Sequence, residues 1–364
     1  MFRRRRLIER EYAAHYVFLL LIAFAASVLL TRIFLELTGY PQIGNSDLHI
    51  AHVLWGGLIL GVGAALPLIF SSTVIYRWSA ILSGVGLGLF FDEVGKFLTQ
   101  DNDYFFRPAA SIIYILFLLG VYVFITVRRG EPDPQTRLHH ALEAMQEIVD
   151  GDLDERERAR LEERLRRIVK EGEEDIPDVR ELATELLEFV TTQADTVEAR
   201  PTPLRDTLNR AADWVEAHLL TRQVTRLLVI VSLTLMAALA LGDLISLVGA
   251  ARDISQVESL VQAWATSRNL DSVTELTWYA LLTGLEGVVG MVLLIALLLF
   301  LLRHDERGVT FALAGLLLSI TALDVLLFYF AQFAAAIDVT INFLLILTLN
   351  FYNLRYVRQG EGRA

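Results

Sequence analysis

The sequence predicts an all-α polytopic membrane protein, a helix bundle of about eight spans in two four-span halves with a cytoplasmic helical insertion. Hydrophobic residues make up 54% of the 364 residues, and the mean hydropathy of +0.47 is well above that of soluble domains. Eight apolar stretches are long enough to cross ~30 Å of hydrocarbon at ~1.5 Å per helical residue. The net negative charge is confined to one central segment.

The eight apolar stretches divide the chain into a first membrane half, 1–130, and a second, 223–364. They lie at 15–38, 50–71, 79–98, 109–127, 224–247, 276–302, 309–333 and 337–356. The third stretch differs from the others because its second half carries Asp92, Glu93 and Lys96. Charge inside a span costs roughly 2.5–3.5 kcal/mol per residue on insertion scales, so it usually faces a cavity or a partner.

The insertion, 131–222, carries the acidity of the chain. Residues 131–220 contain 24 Asp and Glu against 12 Lys and Arg, a balance of −12 that leaves +1 for the rest of the net charge of −11. Nucleic acid is therefore not expected as a partner. Apolar residues at three- and four-residue spacing predict amphipathic helices. They are Leu138, Leu142, Met145, Ile148, Leu161, Leu165, Ile168, Val179, Leu182, Leu186, Phe189, Leu204, Leu208, Ala212 and Val215.

Charges in ERERARLEERLRR, within the insertion, predict a solvated helix face. The alternative is a docking surface for a cytoplasmic protein partner.

The distribution of basic residues predicts the orientation. The N-terminus reads MFRRRRLIER, and arginines follow the fourth, sixth and eighth stretches and precede the fifth, whereas 38–48 contains no Lys or Arg. Positive charge marks the cytoplasmic side of a membrane protein. We therefore expect a multi-pass protein of the inner (cytoplasmic) membrane with both termini in the cytoplasm, and a first span that is retained as an anchor.

The chain contains no cysteine, which excludes disulfides, thiolate metal sites and thiol nucleophiles. It also contains no P-loop, GxSxG, HExxH or dinucleotide-binding motif. The sequence does not indicate an oligomeric state.

One cluster of polar residues stands out at the predicted extracytoplasmic ends of the second and third spans and in the loop that follows. Its members are Asp47, His49, His52, Asp92, Glu93, Lys96, Asp101, Asp103, Tyr104 and Arg107. At about 100° per residue, Asp92, Glu93 and Lys96 share one face of a continuous helix. Gly84 and Gly88 lie below that face and Gly56 and Gly63 below the histidines, so we expect the two spans to pack along these glycines.

Two interpretations of this cluster remain open. The first is a metal or proton-handling site in which His49, His52, Asp92 and Glu93 bind Zn²⁺, Fe²⁺ or Mn²⁺, and Asp92, Glu93 and Lys96 act in catalysis. The second is an interfacial ion-pair network in which Lys96 pairs with Asp92 at i, i+4.

The second half carries fewer intramembrane charges, chiefly Glu286 and Asp324. They are expected either to hydrogen-bond neighbouring helices or to line a polar pathway. The segment DVLLFYFAQ, which begins at Asp324, can be aligned with DEVGKFLTQ, which begins at Asp92. This similarity raises the hypothesis that the two halves are parallel repeats.

Residues 47–107 resemble uncharacterised bacterial and archaeal membrane proteins that carry a phrase close to FDEVGKFLTQDNDYFFRP. The order of features is also similar to that of the VanZ-like membrane families, with Asp47, His52, Glu93 and Asp103 in the corresponding places. Lys96 stands where those families have Gln, and the Asp–His spacing differs by one residue. The VanZ-like resemblance implies a role at the cell envelope.

Three functions follow as hypotheses. The first is a membrane enzyme with a metal or acid/base site that acts on a lipid or envelope-linked substrate. The second is an ion- or proton-coupled transporter or channel that uses Asp92, Glu286 and Asp324. The third is a scaffold or sensor that binds a cytoplasmic protein through 131–222.

Overall fold

The described part of the chain contains helices and no strands, in agreement with the predicted all-α class. The structure is a computed structural model. It describes residues 8–39, 52–100, 103, 106–130, 134–145, 148, 155–171, 177–192, 221–250, 259, 262 and 272–357.

Helices of the first half follow the predicted stretches closely, apart from the third. They are α1 (Ala13–Thr38), α2 (His52–Ile69), α3 (Thr73–Asp92), the short α4 (Val94–Leu98) and α5 (Arg107–Arg129). The third stretch was predicted at 79–98, but α3 begins six residues earlier and ends at Asp92. Glu93 separates α3 from α4, so the expectation that one continuous helix carries Asp92, Glu93 and Lys96 on one face was wrong.

The described α-helices of the second half range from 8 to 29 residues in length. In chain order, the elements are α9 (Arg222–Ala250), α10 (Val273–Leu301), α11 (Asp305–Leu318), a π-helical turn (Ser319–Leu323), α12 (Asp324–Ala331), a 3₁₀ turn (Gln332–Ala334), α13 (Ala335–Tyr352) and a second π-helical turn (Asn353–Val357). Between the halves lie α6 (Pro134–Ala144), α7 (Glu155–Glu171) and α8 (Pro177–Thr192).

Seven described helical segments are long and apolar enough to cross a membrane, and the last of them spans Asp305–Val357. That segment doubles back on itself. The chain turns at Gln332, whose φ of 47° is rare outside glycine, and the Tyr352 hydroxyl donates to Asp305 Oδ2 at 2.6 Å. The segment is therefore a helical hairpin, whose arms correspond to the stretches predicted at 309–333 and 337–356.

The chain divides into two compact units. The first contains residues 1–23, 62–84 and 120–207, and the second contains residues 24–61, 85–119 and 208–364.

Helices α6, α7 and α8 share a small apolar core in the first unit. Its buried members are Leu138, Ala141, Leu161, Leu165, Ile168, Ala183 and Val190. The predicted periodicity is thus borne out at Leu138, Leu161, Leu165 and Ile168, whereas Leu142, Leu182 and Phe189 are exposed. The predicted helix through Leu204, Leu208, Ala212 and Val215 lies outside the described residues.

The second unit has its main core among α9, α10, α11 and α13. Buried side chains such as Leu233, Leu293, Phe300, Leu316 and Leu349 meet there. The faces that point away from this core are lined by exposed leucine, isoleucine and valine. Exposed apolar helix surface on this scale is what a lipid bilayer requires.

Candidate functional site: a buried charge network

Asp92 ends α3 and is held by an arginine from α1. Arg32 Nε lies 2.5 Å from Asp92 Oδ1, and Arg32 Nη2 donates to the Asp92 carbonyl oxygen at 2.9 Å. The last carbonyls of a helix have no partner within the helix, so Arg32 neutralises the carboxylate and also caps α3. Asp92 is completely buried and Arg32 is 8% exposed.

His52 opens α2 and bridges the two carboxylates. Its Nε2 lies 3.0 Å from Asp92 Oδ2, and its Nδ1 lies 3.5 Å from Glu93 Oε1. The His52 side chain is 24% exposed whereas both carboxylates are buried. His52 is therefore a partly exposed, titratable side chain that contacts both buried acids.

Glu93, between α3 and α4, is held by Lys96 and by the start of α2. Lys96 Nζ lies 2.5 Å from Glu93 Oε1, and the Val53 amide donates to Glu93 Oε2 at 3.1 Å. The first amides of a helix lack partners within the helix and carry partial positive charge. The N-terminus of α2 therefore stabilises this buried carboxylate.

We refer to Arg32, His52, Asp92, Glu93 and Lys96 as the charge network. Two cations face two carboxylates, and each of the four carboxylate oxygens has a cationic, imidazole or amide nitrogen beside it. This balance explains how the carboxylates are kept below 2% exposure in a lipid-facing helical unit.

The guanidinium of Arg32 is also covered by an aromatic ring. It lies 4.4 Å from the centre of the Phe333 ring, in the 3₁₀ turn of the second-half hairpin. A cation against an aromatic face is stabilised, the more so away from water. The charge network therefore receives a contact from each half of the chain.

The structure brings together His52, Asp92, Glu93 and Lys96 from the predicted cluster. Lys96 pairs with Glu93 at i, i+3, and Asp92 is paired with Arg32, so the i, i+4 pair expected between Lys96 and Asp92 is not the arrangement found. The cause is the end of α3 at Asp92, which places Lys96 on a separate helix.

The remaining predicted members lie elsewhere or are not described. Asp103 is exposed and its amide donates to the Thr99 hydroxyl. Arg107 begins α5 and forms an ion pair of 2.9 Å with Glu275, near the start of α10. The others lie outside the described residues, namely Asp47, His49, Asp101 and Tyr104.

Arg32 was not among the residues predicted from the sequence. The available signal was a single arginine inside an apolar stretch, in LLTRIFLELT. Such a residue is as costly in a bilayer as a carboxylate and needs a partner for the same reason.

The predicted metal ligands include His52, Asp92 and Glu93. Among the described residues, no group of three or more His, Asp or Glu side chains is arranged to hold a metal ion. Each carboxylate oxygen of these residues already has a cationic, imidazole or amide nitrogen beside it. A metal ion there would have to displace at least one of these partners, so the described donors do not fit a metal centre.

Glycines bring the helices of the network close together. A Cβ atom added to Gly86 would lie 2.5 Å from the Leu60 amide nitrogen of α2, and one added to Gly88 would lie 2.7 Å from Ser27 Cβ of α1. Close packing of α2 against α3 was predicted through Gly56 and Gly63 on α2, which do face α3, and through Gly84 and Gly88 on α3. Gly88 instead faces α1, because residues two apart on a helix point about 200° apart.

An apolar recess of about 670 Å³ adjoins the network. Its walls include Val53, Trp55, Leu58, Phe90 and Phe97. Val53 is the residue whose amide binds Glu93, and Phe97 follows Lys96 in the chain. The recess therefore places an apolar surface directly beside the partly exposed end of the network.

A second polar group lies in the hairpin of the second half. Asp324 is buried, and Asn342 Nδ2 donates to its Oδ2 at 3.0 Å, while the Ser319 hydroxyl lies 3.3 Å from its Oδ1. Glu286 lies on α10 and is partly buried. These contacts agree with the expectation of hydrogen bonding between helices for Asp324.

Comparisons with known proteins give no match to any family model, curated protein or solved structure.

Proposed function

We propose that this is an integral inner-membrane protein whose charge network is an acid/base site near the extracytoplasmic face, acting on a lipid or lipid-linked envelope substrate. The observation that carries the proposal is the position of His52. It contacts two buried carboxylates and is itself partly exposed, beside an apolar recess. The arginine distribution supports this orientation, in which the start of α2 and the end of α3 lie on the extracytoplasmic side.

Each member has a separate task in this proposal. His52 accepts or donates the proton, since an imidazole is the usual side chain for this work near neutral pH. Asp92 orients the imidazole through Nε2, as the third member of a catalytic triad does for its histidine. Arg32 in turn holds Asp92 in place. Glu93 faces the other ring nitrogen, Nδ1, at 3.5 Å, and Lys96 neutralises Glu93.

The recess supports the choice of substrate. An amphipathic molecule that enters from the bilayer would place its chain against Leu58, Phe90 and Phe97. Its polar group would then meet Lys96, whose side chain is 25% exposed. A substrate without an apolar part would gain little from this surface.

The test is turnover of native lipids by purified protein in proteoliposomes, with release or transfer of headgroups followed by mass spectrometry. We expect His52→Gln to lower turnover by about 10²- to 10⁴-fold, which is the usual contribution of general acid–base catalysis. The matched control is His139→Gln, since His139 is exposed on α6. Unchanged turnover in His52→Gln would refute the acid/base role.

Metal content is measured on the same preparations. The wild type could contain a stoichiometric amount of Zn²⁺, Fe²⁺ or Mn²⁺ that His49→Ala/His52→Ala lacks. That result would contradict the acid/base proposal and favour a metal-dependent site. We expect the two preparations to have the same metal content, because Arg32 and Lys96 already neutralise the carboxylates.

An ion- or proton-coupled transporter is the second candidate, and the buried Asp324 group favours it. A second carboxyl inside the membrane spans is what a proton pathway requires. Proton entry into proteoliposomes loaded with a pH-sensitive dye tests this function. Proton flux that is present in the wild type and lost in both Asp92→Asn and Asp324→Asn would favour the transporter. Liposomes that stay impermeable to protons while lipid turnover proceeds would favour the enzyme.

A further inference from the structure

A cavity in the first unit has arginine as its commonest lining residue. It has a volume of about 830 Å³, within the range of about 300–1,000 Å³ that small-molecule sites occupy. Its arginines are Arg10, Arg128, Arg137, Arg160, Arg164 and Arg167.

This concentration of positive charge is the opposite of what the sequence around it predicts. Residues 131–220 are strongly acidic, yet only three glutamates line the cavity against six arginines. On α7, Arg160, Arg164 and Arg167 follow one another at spacings of four and three, which places them on one helix face. The face was predicted to be solvated; Arg160 and Arg167 are indeed exposed, and the same face forms a wall of the cavity.

Some of these arginines already contact carboxylates. Arg164 pairs with Glu11, whose side chain is 5% exposed, and Arg167 pairs with Glu163 at 2.6 Å. A guanidinium has five N–H donors in a planar fork, so an arginine in one ion pair can bind a second anion. Guanidinium groups outnumber carboxylates six to three among the residues that line the cavity, so several arginines can contact one anion there.

The cavity lies at the end of two predicted spans. Ala13 and Ala14 at the start of α1 and Val127 and Arg128 at the end of α5 all line it. Phosphate groups of lipids occur at this depth, and a soluble phosphorylated molecule can reach it as well. Arginine binds phosphate oxygens bidentately, which makes it the side chain of choice for this group.

We propose that this cavity is a binding site for a phosphate-bearing anion. The site is independent of the charge network, and its ligand is recognised by the guanidinium groups of α6 and α7 together with Arg10 and Arg128. Binding there would join the first helix, the fourth predicted span and the helices of the insertion through one ligand.

Titration of the detergent-solubilised full-length protein tests the site. The probes are inorganic pyrophosphate, dioctanoyl phosphatidic acid and dioctanoyl phosphatidylcholine, which shares the acyl chains of the second probe without its net charge. We expect saturable binding of at least one anionic probe and much weaker binding of the phosphatidylcholine. Phosphatidic acid binding without pyrophosphate binding would identify a lipid headgroup, and pyrophosphate binding would identify the phosphate itself as the ligand.

The test variant is Arg137→Gln/Arg160→Gln, and the matched control is Arg166→Gln/Arg180→Gln. Arg166 lies on the same helix as Arg160 but outside the cavity, and both control arginines are exposed. We expect the test variant to weaken binding ten-fold or more, because each of its two substitutions removes charge-assisted hydrogen bonds. We expect the control variant to change binding by less than two-fold. Equal losses in the two variants, no saturable binding of either anion, or equal binding of phosphatidylcholine would overturn the proposal.

Discussion

Arg32 and Asp92 depend on each other because both are buried. We expect Arg32→Gln to lower the free energy of unfolding by about 3–5 kcal/mol, since it leaves a buried carboxylate without its closest cation. Reversible unfolding in detergent measures this loss. Lys96→Gln is the control, because Lys96 is more exposed and its loss should cost less.

The double variant Arg32→Gln/Asp92→Asn separates pairing from packing. It removes both charges, so we expect it to recover much of the stability that Arg32→Gln alone loses. If the double variant is as unstable as the sum of the two single variants, the two residues are not energetically coupled and the pair is not what stabilises the end of α3.

Asp324 should respond differently, because its described hydrogen bonds are to the neutral Asn342 and Ser319. We expect Asp324→Asn to change the free energy of unfolding by less than about 1 kcal/mol, whereas Asn342→Leu should cost about 1–3 kcal/mol by leaving a buried carboxyl group without its donor. Asn350→Leu is the control on the same helix, since Asn350 is exposed. Equal stability of the two leucine variants would contradict this account.

At the level of single residues, the sequence predicted the buried acidic residues but not the buried basic one. Asp92, Glu93 and Asp324 were found because a carboxylate in an apolar stretch is costly. Arg32 was overlooked because basic residues were used to assign orientation. The partner of Lys96 was also missed, since no proline marks the end of α3 and its position could not be predicted locally.

Helix contacts in the charge network depend on glycine at particular positions. We expect Gly56→Ala to destabilise the protein by about 1–3 kcal/mol, because the added Cβ would lie 2.8 Å from the Phe90 amide nitrogen and would force α2 away from α3. Gly61→Ala on the same helix meets nothing within 4 Å and should be neutral. Thermal unfolding of the two variants makes the comparison.

The same substitution should also affect the site. Glu93 receives the Val53 amide of α2, three residues before Gly56, so a displaced α2 weakens that contact. Loss of lipid turnover in Gly56→Ala, with turnover preserved in Gly61→Ala, is the expected result. Equal turnover would show that helix spacing at Gly56 does not control the network.

Most spans could be predicted because their length and hydropathy are fixed by the bilayer. The turn between the last two spans was also placed well, since the predicted gap at 334–336 adjoins Gln332–Ala334. Which glycine faces which helix could not be predicted, because it depends on packing between segments far apart in sequence.

Orientation of the whole molecule can be tested directly, since the chain contains no cysteine. We expect His139→Cys to react with a membrane-impermeant maleimide only after cells are opened, and Asp103→Cys to react in intact cells. Both positions are exposed in the structure, and the arginine distribution predicts opposite sides for them. Labelling of both from the same side would reverse or remove the proposed orientation.

The organisation of the molecule in halves remains a hypothesis. Asp92 and Asp324, aligned in the proposed repeat, are both buried beside an interruption of helical geometry. Their described partners differ, because Asp92 is bound by an arginine and a histidine and Asp324 by neutral side chains. Sequence similarity between apolar helices could not predict this difference.

The distance in sequence between Arg32 and Asp92 has a consequence for how the protein is made. Arg32 precedes Asp92 by 60 residues, so the first helix enters the membrane before the carboxylate that binds its guanidinium has been synthesised. An arginine within a span is costly to insert, by up to about 2.5–3.5 kcal/mol at the helix centre, and Arg32 lies within the predicted first span, six residues before the end of α1. We therefore expect the nascent first helix to settle fully into the bilayer only when the third helix emerges from the ribosome, which makes its insertion a cooperative, co-translational event.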